Sequence, residues 1–428
     1  MKIRIENATV ITNNENKDVL RHAEIQVDGE RIVYAGAADH APATEADRVI
    51  DAQGNLVMPG FFNTHTHVPM NMFRSYADDL DLMTWLNTRI FPAEDRLTDE
   101  IAYWASMAAM CEMAAAGIVG FNEMYFFMGS VAKAAQESGL RAVLSRAVVT
   151  PAENVAQRTF REGVELFEKY NNTGRLKVYL SPHAQYTVNN EMLEKIAKEA
   201  ARLQTGIHMH ISETKGEHEN CLKDHGMTPI ELSEKLGLLD VPFLAAHCVW
   251  ISEHDMELMA QHGSYVLSCP RSNLKLASGI APLSRMLERG VRVSLGTDSV
   301  ASNNKLSIME EMTYATLLQK GTTYDPKVMP AAQSIDLATR QGARAMGFES
   351  GVVEAGKNAD IIMLDTSGIR YTPDYDIVSN VVYSADDTDV CMTMVGGDIV
   401  YENGRFSFAD VEEIKAKLHE YSAVMKAI

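Results

Sequence analysis

The sequence predicts an α/β protein: a (β/α)8 TIM barrel joined to a small β-sandwich domain built from both chain ends. Three observations carry this. From Leu56 to about Ala345, short apolar runs alternate with longer helical patterns, and eight such runs can be counted. That alternation is what a parallel sheet requires. The runs end in polar residues, where a barrel of this kind carries its active site. Before and after this region the chain reads as short strands and tight turns, with no helix until the last residues.

The elements follow in order. Lys2 to Thr12 alternates loosely. Glu24-Ile25-Gln26-Val27 and Arg31-Ile32-Val33-Tyr34 flank Asp28-Gly29-Glu30, a hairpin signal. Val49-Ile50-Asp51 is a further strand. The first barrel run is Leu56-Val57-Met58, a Pro59-Gly60 break, then Phe61 to His67. The next seven are Ile118–Phe121, Ala142–Val148, Leu176–Leu180, Ile207–Ile211, Phe243–His247, Tyr265–Leu267 and Val291–Leu295. Strand grammar returns at Ala359–Asp365, then at Val390–Val395 and Ile399–Tyr401 around Gly396-Gly397-Asp398. The last stretch reads as an amphipathic helix. This divides the chain into 1–56 (small β domain, first part), 57–355 (barrel), 356–408 (small β domain, second part) and 409–428 (terminal helix).

Composition excludes several classes. A formal charge of -19 argues against a nucleic-acid partner. Five scattered cysteines with no Cys-x-x-Cys read as a reducing compartment without a disulfide framework. No signal-peptide pattern and no apolar run long enough to span a bilayer is present. A cytoplasmic protein with no membrane partner is expected.

The polar residues at the run ends carry the chemistry: His65, His67, His183, His210, His247 and Asp298. His65 and His67 stand two apart, so on a strand they share a face. With His210 and Asp298 they offer three nitrogens and one oxygen, a set suited to zinc or a similar divalent ion with room for water. Singly, each has an ordinary reading: His210 as a core histidine, Asp298 as a helix N-cap. Glu213, three residues beyond His210, can carry protons between water and a ring nitrogen. His247 can orient the water. His208 shares the inward face of His210 one layer deeper and reads as a supporting residue. The fourth run ends in Ser181-Pro182-His183, with no lysine to bridge two metals, so one ion is expected.

Pro59-Gly60-Phe61-x-x-x-His65-x-His67, His210-x-x-Glu213, His247 and Asp298 resemble, in order and spacing, the mononuclear deaminase branch of the amidohydrolase superfamily. Thr84-Trp85-Leu86, Phe91-Pro92-Ala93-Glu94, Ser181-Pro182-His183, Ala246-His247-Cys248-Val249-Trp250 and Ser272-Asn273-x-Lys275-Leu276 are similar to its S-adenosylhomocysteine/5′-methylthioadenosine deaminases. The single divalent ion is expected to be zinc, with iron and manganese left open. The resemblance implies a small-molecule nucleoside substrate and a homo-oligomer. It implies hydrolytic deamination of the adenine ring of S-adenosylhomocysteine or 5′-methylthioadenosine, with adenosine and 5′-deoxyadenosine left open as substrates, and with Asp298 taking a proton from water, His247 holding that water and Glu213 serving the ring nitrogen. It also implies that Glu94 binds the ribose hydroxyls, that His183 reaches the purine, and that Trp85 lines the substrate site. Arg146 and Arg158 would face a substrate carboxylate, as a bidentate guanidinium can; Arg161 is an alternative to Arg158. Cys269 departs from the pattern, standing where many relatives carry asparagine. Guanine-type, pterin and triazine aminohydrolases are the rival enzymes, and a non-catalytic scaffold on the same barrel is the rival of another class. The segment from Met70 to Arg89 reads equally as a lid or an interface.

Overall fold

The computed structural model describes residues 1–425. The last three residues of the expected terminal helix lie outside the described residues; the helix runs Val411–Met425.

The eight barrel strands form two parallel arcs. The first holds Phe61–Thr66, Ile118–Tyr125, Arg141–Val148, and the interrupted fourth strand, Leu176–Val178 then Ser181–Pro182. The second holds Ile207–Ile211, Phe243–His247, Tyr265–Ser268 and Arg292–Leu295. Nearly every position on these strands is buried, as expected where helices cover one face and the barrel core the other. One seam between the arcs is closed by backbone bonds from His208 N to Leu180 O and from His210 N to His183 O, both 3.0 Å. At the other, Asp298 N donates to His65 O at 2.9 Å and Thr64 Oγ1 donates to Leu295 O at 2.8 Å. That second seam needs Gly296. A Cβ there would lie 2.7 Å from His65 N, so no side chain fits between the first and eighth strands.

The expected first barrel run divides in two: Leu56–Pro59 pairs in the sheet of the chain ends, and only Phe61–Thr66 is a barrel strand. A helix, Ile377–Tyr383, also interrupts the second β segment, where none was expected. The remaining differences among the barrel strands lie mainly at their ends. The first strand stops at Thr66, and a 3-10 turn begins at Val68. His67 is therefore the joint between them. The fourth strand breaks after Val178, where Tyr179 and Leu180 make isolated bonds rather than a continuous ladder.

The end segments form one nine-stranded sheet. Leu56–Pro59 lies at its centre, parallel to Lys2–Ile11 on one side and antiparallel to Ile361–Leu364 on the other. The sheet curls: Ile32 N donates to Lys357 O at 2.9 Å and Gly356 N to Ile32 O at 2.8 Å. The sandwich is thus folded from a single sheet around Ile3, Ile5, Ile25, Val27, Ile361 and Met392. Arg141 opens the third barrel strand and pairs bidentately with Asp360, at 2.6 and 2.9 Å, with both residues buried. Asp360 also accepts from Gly396 N at 2.7 Å. No described helix is long and apolar enough to cross a membrane.

Candidate active site

His65, His67, His210, His247 and Asp298 converge at the carboxyl ends of the first, fifth, sixth and eighth strands. Ligand atoms of His65, His67 and Asp298 lie within 4.8 Å of one another, as do those of His65, His210 and His247. The backbone sets the ring tautomers. His67 Nδ1 faces the Met124 carbonyl, and His210 Nδ1 lies 2.8 Å from the His183 carbonyl. A carbonyl only accepts, so both Nδ1 atoms carry hydrogen and both Nε2 atoms present lone pairs. Those two lone pairs face each other at 3.3 Å. His65 Nε2 is buried with no hydrogen-bond partner, while its Nδ1 meets His208 Nε2 at 2.9 Å. Burial, and then its histidine neighbours, hold His65 and His210 well below the usual histidine range. Burial also lowers His67, against the opposing pull of Asp298. The facing lone pairs of His67 and His210, with the unpartnered His65 Nε2 beside them, repel one another unless a cation lies between them.

Asp298 supplies the negative charge. Its Oδ1 is 3.3 Å from His67 Nε2 and 3.8 Å from His65 Nε2, and it accepts from Ser299 N at 2.7 Å. Its Oδ2 accepts from Ser272 Oγ at 2.6 Å and Ser302 Oγ at 2.9 Å. The donor set, its charge and its unmet lone pairs fit a divalent ion with His and Asp ligands.

Glu213 and His247 face each other across this point, with Glu213 Oε2 3.9 Å from His247 Nε2. Asn273 Oδ1 takes the His247 Nδ1 hydrogen at 2.9 Å, which leaves Nε2 toward the cavity. Burial raises Glu213 above the usual carboxylate range, against the pull of His247. Burial would lower His247, but Glu213 and then Asp298 outweigh it and raise it. Glu217 fixes the Glu213 backbone: its two oxygens accept from Ser212 N at 2.7 Å and Glu213 N at 2.8 Å. Ser212, His247, Cys248 and Asp298 all hold positive φ, between 46° and 73°. Such non-glycine residues cost on the order of 1–3 kcal/mol each and cluster where function needs a side chain re-aimed.

A cavity beside these groups is lined by Trp85, Phe91, Glu94, Phe126, His183 and Tyr186, together with His67, His210, His247, Asp298 and Glu213. Trp85 is buried, and its Nε1 donates to Ala77 O at 3.1 Å. Tyr125 Oη donates to Glu94 Oε1 at 2.5 Å, and burial pushes Glu94 up to about 7. His183 Nδ1 lies 3.0 Å from Thr187 Oγ1, whose own hydrogen goes to Ala184 O at 3.1 Å, so His183 Nε2 is a free acceptor. Burial, then His67, lower His183 to about 4. Met70, Leu82 and Leu86 also line this cavity, so the segment after the first strand covers the site. Lys275 anchors that cover, with its Nζ 2.5 Å from Asp78 Oδ1 and 3.2 Å from Ala301 O.

Arg146 and Arg158 line a larger adjoining groove. Both are paired with Glu162: Arg146 Nε at 2.9 Å and Nη2 at 2.8 Å, Arg158 Nε at 3.7 Å. Arg161 pairs with Glu165 at 3.5 Å and lines a separate depression with Lys195 and Glu199. Sequence reasoning gave no role to Glu217, Asn273, Ser272, Tyr125 or Glu162. Ser272 and Asn273 lay in a noted motif; Glu217 was one acid among several; Tyr125 and Glu162 left no signal. Cys269 is buried, its Sγ near Leu267 O at 3.8 Å, and it caps nothing.

The Amidohydrolase family model matches residues 56–400. The chain is 42% identical over 422 residues to a 5-methylthioadenosine/S-adenosylhomocysteine deaminase of Moorella thermoacetica, covering 97% of this chain and 98% of that protein. It is 38% identical over 419 residues to the protein of that name from Thermoanaerobacter pseudethanolicus, covering 97% of each. A solved adenosine deaminase from Xanthomonas campestris with bound zinc superposes with a TM-score of 0.96 at 29% identity, covering 100% of this chain and 99% of that chain. A triazine hydrolase from Arthobacter aurescens shares the fold at 23% identity, with a TM-score of 0.92 over 98% of this chain and 99% of that one.

Proposed function

The chain belongs to the amidohydrolase family, and from that premise we propose that it hydrolytically deaminates the adenine ring of S-adenosylhomocysteine or 5′-methylthioadenosine, giving the inosine analogue and ammonia. One observation carries the reading: a single cavity is lined by His67, His210 and Asp298 of the candidate metal cluster, by the Glu213–His247 pair, and by Glu94 and His183. The near full-length identity to deaminases of those nucleosides supports the substrate class.

His65, His67, His210 and Asp298 would hold one ion, with zinc favoured by the donor set and by the zinc-bound structural relative. The ion supplies Lewis acidity, which makes water nucleophilic near neutral pH. The chain's own groups move the protons. Glu213, raised by burial, gives its proton to the ring nitrogen next to C6. Asp298 takes one proton from water as the oxygen adds to C6, and His247 holds that oxygen. Asp298 returns its proton to the exocyclic amine, the C6–N bond breaks, and ammonia leaves. The remaining hydroxyl proton restores Glu213 as the C6 carbonyl forms, so atoms and charge balance. Glu94 takes the ribose hydroxyls, His183 Nε2 accepts from the purine, and Trp85 walls the cavity. Arg146 and Arg158 serve the tail of the substrate. The first boundary moves from residue 56 to after Pro59, because Leu56–Pro59 pairs within the sheet that unites both chain ends; the divisions at 355 and 408 stay part of the same reading.

Ammonia release tests this directly. Metal-replete protein is expected to turn over S-adenosylhomocysteine and 5′-methylthioadenosine above adenosine. Turnover of guanine alone, or of none of them, would overturn the substrate assignment.

A further inference from the structure

The groove holding Arg146 and Arg158 has a volume of about 1320 Å³ and shares Phe91, Glu94, Phe126 and Tyr186 with the cavity over the histidines. A ligand seated in the cavity can therefore extend a tail into the groove without crossing solvent. The charge there is mixed. Arg146, its side chain only 12% exposed, spends Nε and Nη2 on Glu162 Oε2 and Nη1 on Ala147 O at 2.6 Å. Glu162 also draws Arg158 on its other oxygen, while Glu165 and Lys169 line the same groove. Glu162 itself is half-buried, so it can be approached from solvent.

A plain carboxylate entering this groove finds the Arg146 fork already engaged. It must compete with Glu162 and leave that carboxylate without its charge-assisted bonds. An α-amino acid meets no such conflict. Its carboxylate can take the guanidinium while its ammonium takes Glu162, so each charged group exchanges one partner for another.

Resting on the nucleoside reading above, we propose that Glu162 is a specificity-determining residue that makes the groove select a nucleoside with a zwitterionic α-amino-acid tail over one with a carboxylate alone. Glu162 binds the tail's ammonium, and Arg146 with Arg158 binds its carboxylate. The charge-assisted bond to Glu162 is worth a preference on the order of tenfold or more.

The test compares three thioethers on the wild type and Glu162→Gln: S-adenosylhomocysteine, its analogue lacking only the α-amino group, and 5′-methylthioadenosine. The wild type is expected to favour S-adenosylhomocysteine over the analogue in kcat/KM by about tenfold or more. Glu162→Gln is expected to collapse that ratio and leave 5′-methylthioadenosine unchanged; Glu162→Asp should restore part of the ratio. A wild-type ratio near one overturns the proposal, as does a Glu162→Gln variant that keeps the ratio or slows all three substrates equally. In those cases wild-type turnover of 5′-methylthioadenosine leaves the deaminase reading standing. Silence of the wild type on all three removes that reading, and this proposal with it.

Discussion

At His67 and His210 the decisive facts are two backbone carbonyls. Each takes the Nδ1 hydrogen and turns the other nitrogen's lone pair inward. Nothing in a His-x-His pattern announces this, because the carbonyls belong to Met124 and His183 on neighbouring strands. The histidines themselves were legible from spacing and position; their tautomers were not. Glu213 follows the same logic. Its burial could not be read from a loop of several acids, yet burial is what raises it above the usual carboxylate range, the direction the proposed proton transfer needs. Glu213→Gln keeps the shape and removes the proton. It is expected to retain metal content by elemental analysis while turnover falls by about 10²–10⁴. Near-normal turnover would dismiss Glu213 as the proton carrier. Glu162 shows the converse limit: the resemblance implied that Arg146 faces a substrate carboxylate, but nothing in the sequence showed the acid already paired with it, Glu162 on the following helix.

Among elements, the segment covering the cavity was the least legible. Met70 to Arg89 carries no clear period, and it folds as short pieces: Leu82–Trp85 as α-helix, Leu86–Ile90 as a π turn. Its place over the site is set by partners far along the chain. Lys275 reaches Asp78, and Asn304 Nδ2 donates to Ser75 Oγ at 2.9 Å. Lys275→Ala should loosen the cover while leaving the buried site intact. KM is expected to rise several-fold with kcat little changed, and limited proteolysis should cut faster within 70–89. Global stability should move by less than about 1 kcal/mol, because the Lys275–Asp78 pair is partly exposed. An unchanged KM and cleavage rate would make the contact incidental. The fifth and sixth strands, by contrast, were readable to the residue, since a parallel strand buried on both faces is a continuous apolar run with sharp ends. The second runs four residues past its apolar run, through Asn122 and Glu123, whose buried polar side chains hid its end.

For the whole molecule, the alternation of strand and helix and the hairpin grammar at both ends announced a barrel flanked by β structure. The pairing order was hidden, since it depends on contacts hundreds of residues apart. So was the bolt between the two parts, Arg141 on Asp360. Both charges are buried, and each satisfies the other along with Gly396 N. Arg141→Ala leaves Asp360 uncompensated in the interior. Such a loss is expected to cost about 3–5 kcal/mol, read as a lowered urea midpoint. A shift of under about 1 kcal/mol would show that water reaches Asp360 and that the pair is not what joins the parts.

The central position of Leu56–Pro59 also bears on how the chain assembles. Its partner Ile361–Leu364 is made some three hundred residues later. Until then, four wholly buried residues form an open apolar edge beside a barrel that is still growing. An unpaired edge of that kind is a template for pairing with another chain. The centre of this sheet cannot pair before Ile361–Leu364 exists, and a chain stopped before Ile361 is expected to aggregate through Leu56–Pro59, read as loss of the truncated protein to the pellet.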